Sequence, residues 1–200
     1  DYLYGFDVRN GGKADIAKGL FMNDNDAITW SLFASGTDSK IDVNSSGSGE
    51  VQVVGDVGGY NGGAVNMNMH TNTSYLTAAS YITGNGEVNF DISNSAVWNM
   101  TGSSKATDMN INNGIVDLRA DKNRYSTLTA ANLTGSGGIF KMDIDVRSME
   151  SDKLYITDDF SGTQAIDIYQ KDAYVPEGSS MEGTGLVLAS VNGNGVFTAH

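Results

Sequence analysis

Apolar and polar residues alternate along this chain in short bursts, a period of two that marks half-buried strands rather than helices. The bursts include Ile41-Asp42-Val43, Val51-Gln52-Val53, Val65-Asn66-Met67-Asn68-Met69, Val88-Asn89-Phe90-Asp91-Ile92 and Met109-Asn110-Ile111. They continue through Ile115-Val116-Asp117-Leu118, Ile139-Phe140-Lys141-Met142-Asp143-Ile144, Leu154-Tyr155-Ile156, Ala165-Ile166-Asp167-Ile168 and Leu186-Val187-Leu188. Clusters of Gly, Asn, Ser and Asp lie between them and supply the positive φ angles and local side-chain bonds that turns need. Residues 12–22 are the exception, reading equally as one short helix bounded by glycines or as two strands.

A loose cassette recurs at the turns: Ser46-Gly47-Ser48-Gly49-Glu50-Val51, Thr83-Gly84-Asn85-Gly86-Glu87-Val88 and Thr134-Gly135-Ser136-Gly137-Gly138-Ile139, with a shorter echo in Asn192-Gly193-Asn194-Gly195-Val196-Phe197. Successive copies are 84 − 47 = 37 and 135 − 84 = 51 residues apart. Such uneven spacing favours a solenoid with variable loops over a propeller with fixed blades. Asn and Ser on outer faces can stack from rung to rung and share hydrogen bonds, as amide ladders do in stacked sheets. The expected fold is all-β, a parallel β-helix. With three strands of about five residues and three short connections a rung takes roughly 20 to 30 residues. The chain then holds about eight rungs, which stack to roughly 40 Å at strand spacing.

Composition removes several classes. The 12 Lys and Arg against 24 Asp and Glu leave a formal charge of −12, and no two cations are adjacent, so neither a phosphate backbone nor an acidic lipid leaflet is an expected partner. Cysteine is absent, which excludes disulfides, thiolate zinc sites and a cysteine nucleophile; the single proline is Pro176. Gly, Asn, Ser and Thr number 25, 19, 20 and 15, a mix that on its own suggests disorder. The 40% of hydrophobic residues, the 18% of charged ones and the even spread of aromatics argue instead for one folded unit with a sizeable core. No apolar run is long enough to span a bilayer as a helix. The start at Asp1, without Met or a leader pattern, reads as an internal piece of a longer protein.

The last third carries a more specific order of motifs. Tyr125-Ser126-Thr127-Leu128-Thr129 is followed by Asn132-Leu133-Thr134-Gly135-Ser136-Gly137-Gly138-Ile139-Phe140 and Ser151-Asp152-Lys153-Leu154-Tyr155-Ile156. Ser161-Gly162, Ile166-Asp167-Ile168 and Gly185-Leu186-Val187-Leu188-Ala189-Ser190-Val191-Asn192-Gly193 complete it. From Tyr125 to Phe197 the chain resembles the C-terminal passenger region of pertactin-like autotransporters of Gram-negative bacteria; upstream the likeness is to generic passenger solenoid. The connection over residues 172–184 is longer than that pattern expects, and the helical linker and β-barrel of the family do not follow His200. The resemblance implies a right-handed parallel β-helix at the cell surface or outer membrane, exported through the periplasm. It also implies a division into passenger rungs (1–124) and a C-terminal, autochaperone-like module (125–200) whose partner is the protein's own β-barrel translocator. Lack of cysteine suits this route, since a bridge formed in the oxidising periplasm would close a loop that must later thread a pore.

Candidate chemistry is sparse. A Ser-His-acid triad would need His70 as base, since His200 is terminal, and no Gly-x-Ser-x-Gly elbow is present. Asp143, Asp145 and Arg147 alternate toward one side of a strand and form the strongest candidate for a glycan lyase, against the simpler reading of a solvated face opposite Met142, Ile144 and Val146. Asp24-Asn25-Asp26 and Asp158-Asp159 read as turns, matching no EF-hand; Gly58-Gly59 and Gly62-Gly63 do not make the calcium β-roll repeat. Trp30, Trp98, Tyr60, Tyr75, Tyr81 and Tyr155 fall on different rungs, which argues against one compact sugar platform; core packing is the expected fate of Trp98. No catalytic, cofactor or metal residue is assigned. The leading expectation is a non-enzymatic stalk that seeds passenger folding in an adhesin. The alternative is a self-associating surface or one that binds a host ligand, with the lyase third.

Overall fold

The computed structural model describes residues 4–22, 29–119, 124–171 and 185–200, and among these every regular element is a strand. The first turn contains β1 (Tyr4–Arg9), β2 (Lys13–Ile16) and β3 (Leu20–Met22), and the second contains β4 (Trp30–Ser35), β5 (Lys40–Val43) and β6 (Val51–Val54). The third comprises β7 (Asp56–Tyr60), β8 (Ala64–Met69) and β9 (Tyr75–Ala78), and the fourth β10 (Ser80–Thr83), β11 (Glu87–Ser93) and β12 (Val97–Met100). The later layers hold two main strands each. These are β13 (Ser104–Asn112) with β14 (Ile115–Asp117), then β15 (Thr127–Thr134) with β16 (Ser136–Asp145). After the two-residue β17 (Glu150–Ser151), β18 (Lys153–Phe160) pairs off with β19 (Thr163–Gln170), and β20 (Ala189–Gly193) with β21 (Val196–Ala199).

Each strand pairs in parallel with its counterpart one layer on, giving a parallel β-solenoid with three sides. The first side runs β1-β4-β7-β10. The second runs β2-β5-β8-β11-β13-β15-β18-β20. The third runs β3-β6-β9-β12-β14-β16-β19-β21. Two sides are therefore eight strands deep and one is four deep, so the strands amount to about six complete three-sided turns rather than about eight. The reason lies at β13. Ser80 donates its N–H to Ser104 Oγ (3.1 Å) and its hydroxyl to the Lys105 carbonyl, so the leading half of β13 stacks on β10. From there the first and second sides run together as one long strand, which bends at register shifts within β15 and β18. On the second side, paired residues are between 19 (Phe90 and Met109) and 27 (Ile16 and Val43) positions apart as far as β18, the rung length that the turn spacing implies.

The inward positions of the alternating bursts stack into columns. One column runs Val43, Met67, Phe90, Met109, Leu133, Phe160; a facing one runs Val53, Leu76, Trp98, Val116, Phe140. All eleven are buried, each such side chain stabilising the fold by about 1.5–3 kcal/mol. Trp98 lies in this core as expected, stacked on Phe90 with ring centroids 4.2 Å apart, its indole N–H donating to the Ala78 carbonyl at 3.1 Å. That bond satisfies the one polar atom the ring would otherwise bury unpaired.

The structure resolves one open choice and revises two expectations. Residues 12–22 form β2 and β3, not a helix, because Ala14 and Ile16 reach the core from the second side and Leu20 and Met22 from the third. Leu186-Val187-Leu188 is not a strand: the eighth layer joins its ladder only where the Leu154 N–H bonds the Leu188 carbonyl, and β20 begins at Ala189. Asp158-Asp159 is not a turn but part of β18, at the irregular register where the long strand bends. Asp24-Asn25-Asp26, Pro176 and the connection 172–184 lie outside the described residues. The cassettes occupy two different corners. Those at Gly47, Gly135 and Gly193 join the second side to the third, whereas that at Gly84 joins the first to the second, which is why their spacing is uneven. At the Gly135 cassette the backbone takes φ values of 93° at Gly135 and 77° at Gly137, a region that disfavours any side chain.

Candidate functional site

The polar positions of the second side point outward and form two columns along the solenoid. In the first, Asn66 Nδ2 donates to Asp42 Oδ1 at 2.6 Å, Asn89 Nδ2 to Asn66 Oδ1 at 2.9 Å and Asn132 Nδ2 to Asp108 Oδ1 at 2.8 Å. The Asp108 N–H donates to Asn89 Oδ1 at 3.2 Å and links the two halves. In the second, Asn110 Nδ2 donates to Asp91 Oδ1 and the Thr134 hydroxyl to Asn110 Oδ1, both at 3.3 Å. Every one of these side-chain donors points to the preceding layer. An amide can donate and accept at once, so Asn continues such a column while a carboxylate only accepts. Asp42 and Asp108 are accordingly separated by the amides of Asn66 and Asn89. Between the columns lies a groove of about 330 Å³ lined by Asn66, Asn68, Asn89, Asp91, Asn110 and Asn132.

The C-terminal layers are joined differently, by buried polar side chains that alternation does not reveal. Asp152, only 1% exposed, accepts the Ser126 N–H on Oδ1 and the Asp143 N–H on Oδ2, both at 2.7 Å. Burial raises its pKa, against the pull of these two bonds and helped by the nearby Asp143 carboxylate. Gln164, also 1% exposed, accepts the Gly138 N–H on Oε1 at 2.7 Å and donates Nε2 to the carbonyls of Ile111 (3.1 Å) and Thr134 (3.3 Å). One side chain thus ties β19 to the Gly135 cassette and to the end of β13. Ser39, Ser74, Ser80 and Ser104 fill similar buried positions in earlier layers. The only trace of these residues in the sequence is the Ser-Asp-x-Leu order at 151–154; nothing local distinguishes Gln164.

The singled-out ionisable residues do not assemble into a reaction centre. His70 Nδ1 lies 3.3 Å from the Gly47 carbonyl, and Nε2 lies 3.2 Å from Asp91 Oδ2 without the alignment of a hydrogen bond. His200 Nδ1 is 3.8 Å from Asp167. Asp143 and Asp145 do lie on one strand, β16, but Arg147 does not share it: it sits in the tight hairpin that leads to β17. Asp145 holds that hairpin, accepting the Arg147 N–H at 2.8 Å and the Ser148 hydroxyl at 3.0 Å, and these bonds, the Arg147 one first, lower its pKa. Asp143 Oδ2 is 3.7 Å from Lys171 Nζ. No group of three or more His, Asp and Glu among the described residues is close enough to hold a metal ion.

The aromatic residues overturn the expectation of dispersal. Trp30, Tyr60 and Tyr81 sit on successive rungs of the first side and converge there with Phe33. Trp30 lies 5.4 Å from Phe33, 5.8 Å from Tyr60 and 5.3 Å from Tyr81 between ring centroids, mostly edge to face. The rings meet because β7 carries Gly58 between them, where an added Cβ would lie 2.6 Å from Trp30 Cζ3. Lying on successive rungs of one side places residues next to each other in a solenoid, whereas Tyr75 and Tyr155 belong to other sides or layers.

Comparison with known proteins agrees with the C-terminal motifs. Residues 106–200 match the pertactin family model. Two immunoglobulin A1 protease autotransporters of Haemophilus influenzae are each 25% identical to this chain over 115 residues, covering 53% of it. The chain spans only 7% and 6% of the length of those two relatives.

Proposed function

We propose that this chain, a pertactin-like autotransporter passenger region over residues 106–200, is a stalk segment of an exported passenger whose residues 125–200 seed its folding. The observation that carries this reading is the set of buried staples at the C-terminal end. Asp152 ties the residue before β15 to β16, and Gln164 ties β19 to β16 and to the end of β15, all within residues 125–200, while one further bond from Gln164 reaches back to Ile111 of β13. A solenoid gains stability from nearest-neighbour stacking, so an end that is internally cross-tied offers each later rung a formed edge. During export the C-terminal end, held at the protein's own β-barrel translocator, would order first, and the free energy of stacking would draw the rest through without ATP. The passenger would then stand on the bacterial outer surface, most simply as part of an adhesin. Its relatives' name includes a protease; we assign no catalysis to this segment, in which the staples and the cassette side chains of Thr134, Ser136 and Asn192 are spent on layer-to-layer bonds.

Pulsed hydrogen exchange during refolding of the whole chain tests the seeding role. Amides of β15, β16, β18 and β19 are expected to gain protection before those of β5, β8 and β11. Earlier protection of the upstream rungs would refute it.

The Asn and Asp columns favour a second reading, self-association. Their groove presents unused amide and carboxylate valences in a regular row, which suits pairing with an equivalent row on a second copy. Sedimentation across protein concentration reads this directly, and a strict monomer at the highest accessible concentration speaks against it.

A further inference from the structure

From the geometry of the first side, we infer a second binding surface, one for an oligosaccharide bearing carboxylates, that is independent of the folding role. It consists of the ring cluster of Trp30, Tyr60 and Tyr81 and the polar groove that continues from it across the next layers. That groove, about 390 Å³, is lined by Tyr60, Tyr81, Ser103, Lys105, Thr127 and Thr129. The register makes it a strip along the solenoid axis: Phe33 pairs with Gly58, Gly58 with Tyr81, Lys105 with Thr129, and Thr129 with Tyr155. The bond from the Ser80 hydroxyl to the Lys105 carbonyl sets Lys105 in the layer after Tyr81.

Each part matches one feature of such a ligand. The apolar faces of pyranose rings stack on aromatic faces and edges, and Tyr81 (38% exposed) and Tyr155 (40% exposed) offer these at the two ends of the strip. Sugar hydroxyls need donors and acceptors at short intervals, which Ser103, Thr127 and Thr129 provide. The carboxylate requirement comes from Lys105. In a chain with twice as many acids as bases, Lys105 lines the groove and forms no ion pair with any described residue, whereas Lys40 and Arg119 are paired with Asp42 and Asp117. The rung spacing of about 4.8 Å is close to the length of one sugar unit, so a linear chain lying along the axis can meet an equivalent contact at every layer. Nothing in this surface overlaps the amide groove of the second side.

Two probes carry the carboxylated sugar in different settings: tetragalacturonate as a linear polyuronate and sialyllactose as a terminal acidic sugar. Fully methyl-esterified tetragalacturonate serves as the uncharged control. Titrated into the 200-residue chain, at least one acidic probe is expected to change the tryptophan fluorescence at concentrations up to about 10 mM, the weak-affinity range of single sites. The signal reports Trp30, because Trp98 is enclosed in the core, and Trp30→Phe should abolish it while calorimetry still detects binding. Tyr81→Ala and Lys105→Gln should both keep the strand-type circular dichroism spectrum, and Lys105→Gln the urea midpoint as well, yet each should weaken the acidic probe at least tenfold. Lys105→Gln should leave any residual affinity for the methyl ester unchanged. Absence of binding by both acidic probes, equal binding of the methyl ester, or affinity insensitive to both substitutions overturns the proposal. A concentration-dependent dimer that consumes this face in place of the sugar also overturns it.

Discussion

Replacing Asp152 removes a staple whose contribution can be worked from its geometry. Its two carboxylate oxygens accept separate backbone N–H groups at 2.7 Å, one from Ser126 just before β15 and one from Asp143 in β16. A hydrogen bond to a charged group contributes about 1.5–3 kcal/mol, and an unsatisfied buried donor costs about 1–3 kcal/mol. The Ser126 N–H belongs to a residue only 3% exposed and would stay unpaired in Asp152→Ala, whereas Asp143 is half-buried and its N–H can reach water. The Ala variant should therefore lose about 3–4 kcal/mol. Asp152→Asn keeps one acceptor oxygen but turns an NH2 group toward the other N–H, so it should lose about 2 kcal/mol. Equilibrium urea unfolding followed by circular dichroism measures both. With a slope of about 3 kcal/mol/M the Ala midpoint should fall by about 1 M. If residues 125–200 seed folding, the loss should appear mainly as slower refolding rather than faster unfolding. An Ala midpoint within about 0.2 M of the parent would refute the staple argument. A full loss carried wholly by the unfolding rate would leave the staple intact and sink the seeding role.

Three further outcomes follow from other parts of the solenoid. Gln164→Ala strips partners from the Gly138 N–H and from two carbonyls and should cost about 2–3 kcal/mol by the same assay, despite lying at a position with no local sequence signal. Burial raises the Asp117 pKa, but the Arg119 guanidinium bonded to it at 2.7 Å outweighs this and holds it below the usual carboxylate value. Its stability contribution is thus present above about pH 3.9 and is lost as pH falls through the lower folded value. Stability profiles between pH 2 and 6 should accordingly be flatter for Asp117→Asn than for the parent. Asn66→Asp places a carboxylate one rung from Asp42 and removes the donor between them, so it should destabilise by about 1 kcal/mol, with the penalty shrinking at 1 M salt as screening rises.

Much of the fold is legible in the chain because strand alternation is a local property. Each Val, Met or Phe at an even step in the bursts of β5, β8, β11 and β16 lies inside, as the pattern requires, since adjacent side chains of a strand must face opposite ways. The outward Asn residues of those same bursts form the ladder that an amide's dual donor and acceptor character permits. The pattern fails where it is not local. Leu186 to Leu188 alternates with nothing polar and enters its ladder only at the last residue, because pairing with Leu154 sets the start of β20. Arg147 looked like a strand neighbour of Asp145 until the hairpin to β17 turned it away. Gln164 could not be picked out at all, because its three partners lie 26, 30 and 53 residues distant.

The alternation by itself determined that this chain makes strands, which side chains they bury, and that polar corners feed each next strand. The order of motifs after Tyr125 carried the resemblance to pertactin-like passengers, and residues 106–200 match that family's model. Only the stacked structure decided which rungs touch. Turn lengths set the phase between layers, and that phase brought Trp30, Phe33, Tyr60 and Tyr81 together over Gly58 although the sequence spreads them across 52 positions from 30 to 81. The same phase set Asp152 and Gln164 beneath backbone groups of neighbouring layers. A period of two reports only the face a residue occupies; contact between rungs depends on the number of residues in each loop, a sum over the whole turn that no local window contains.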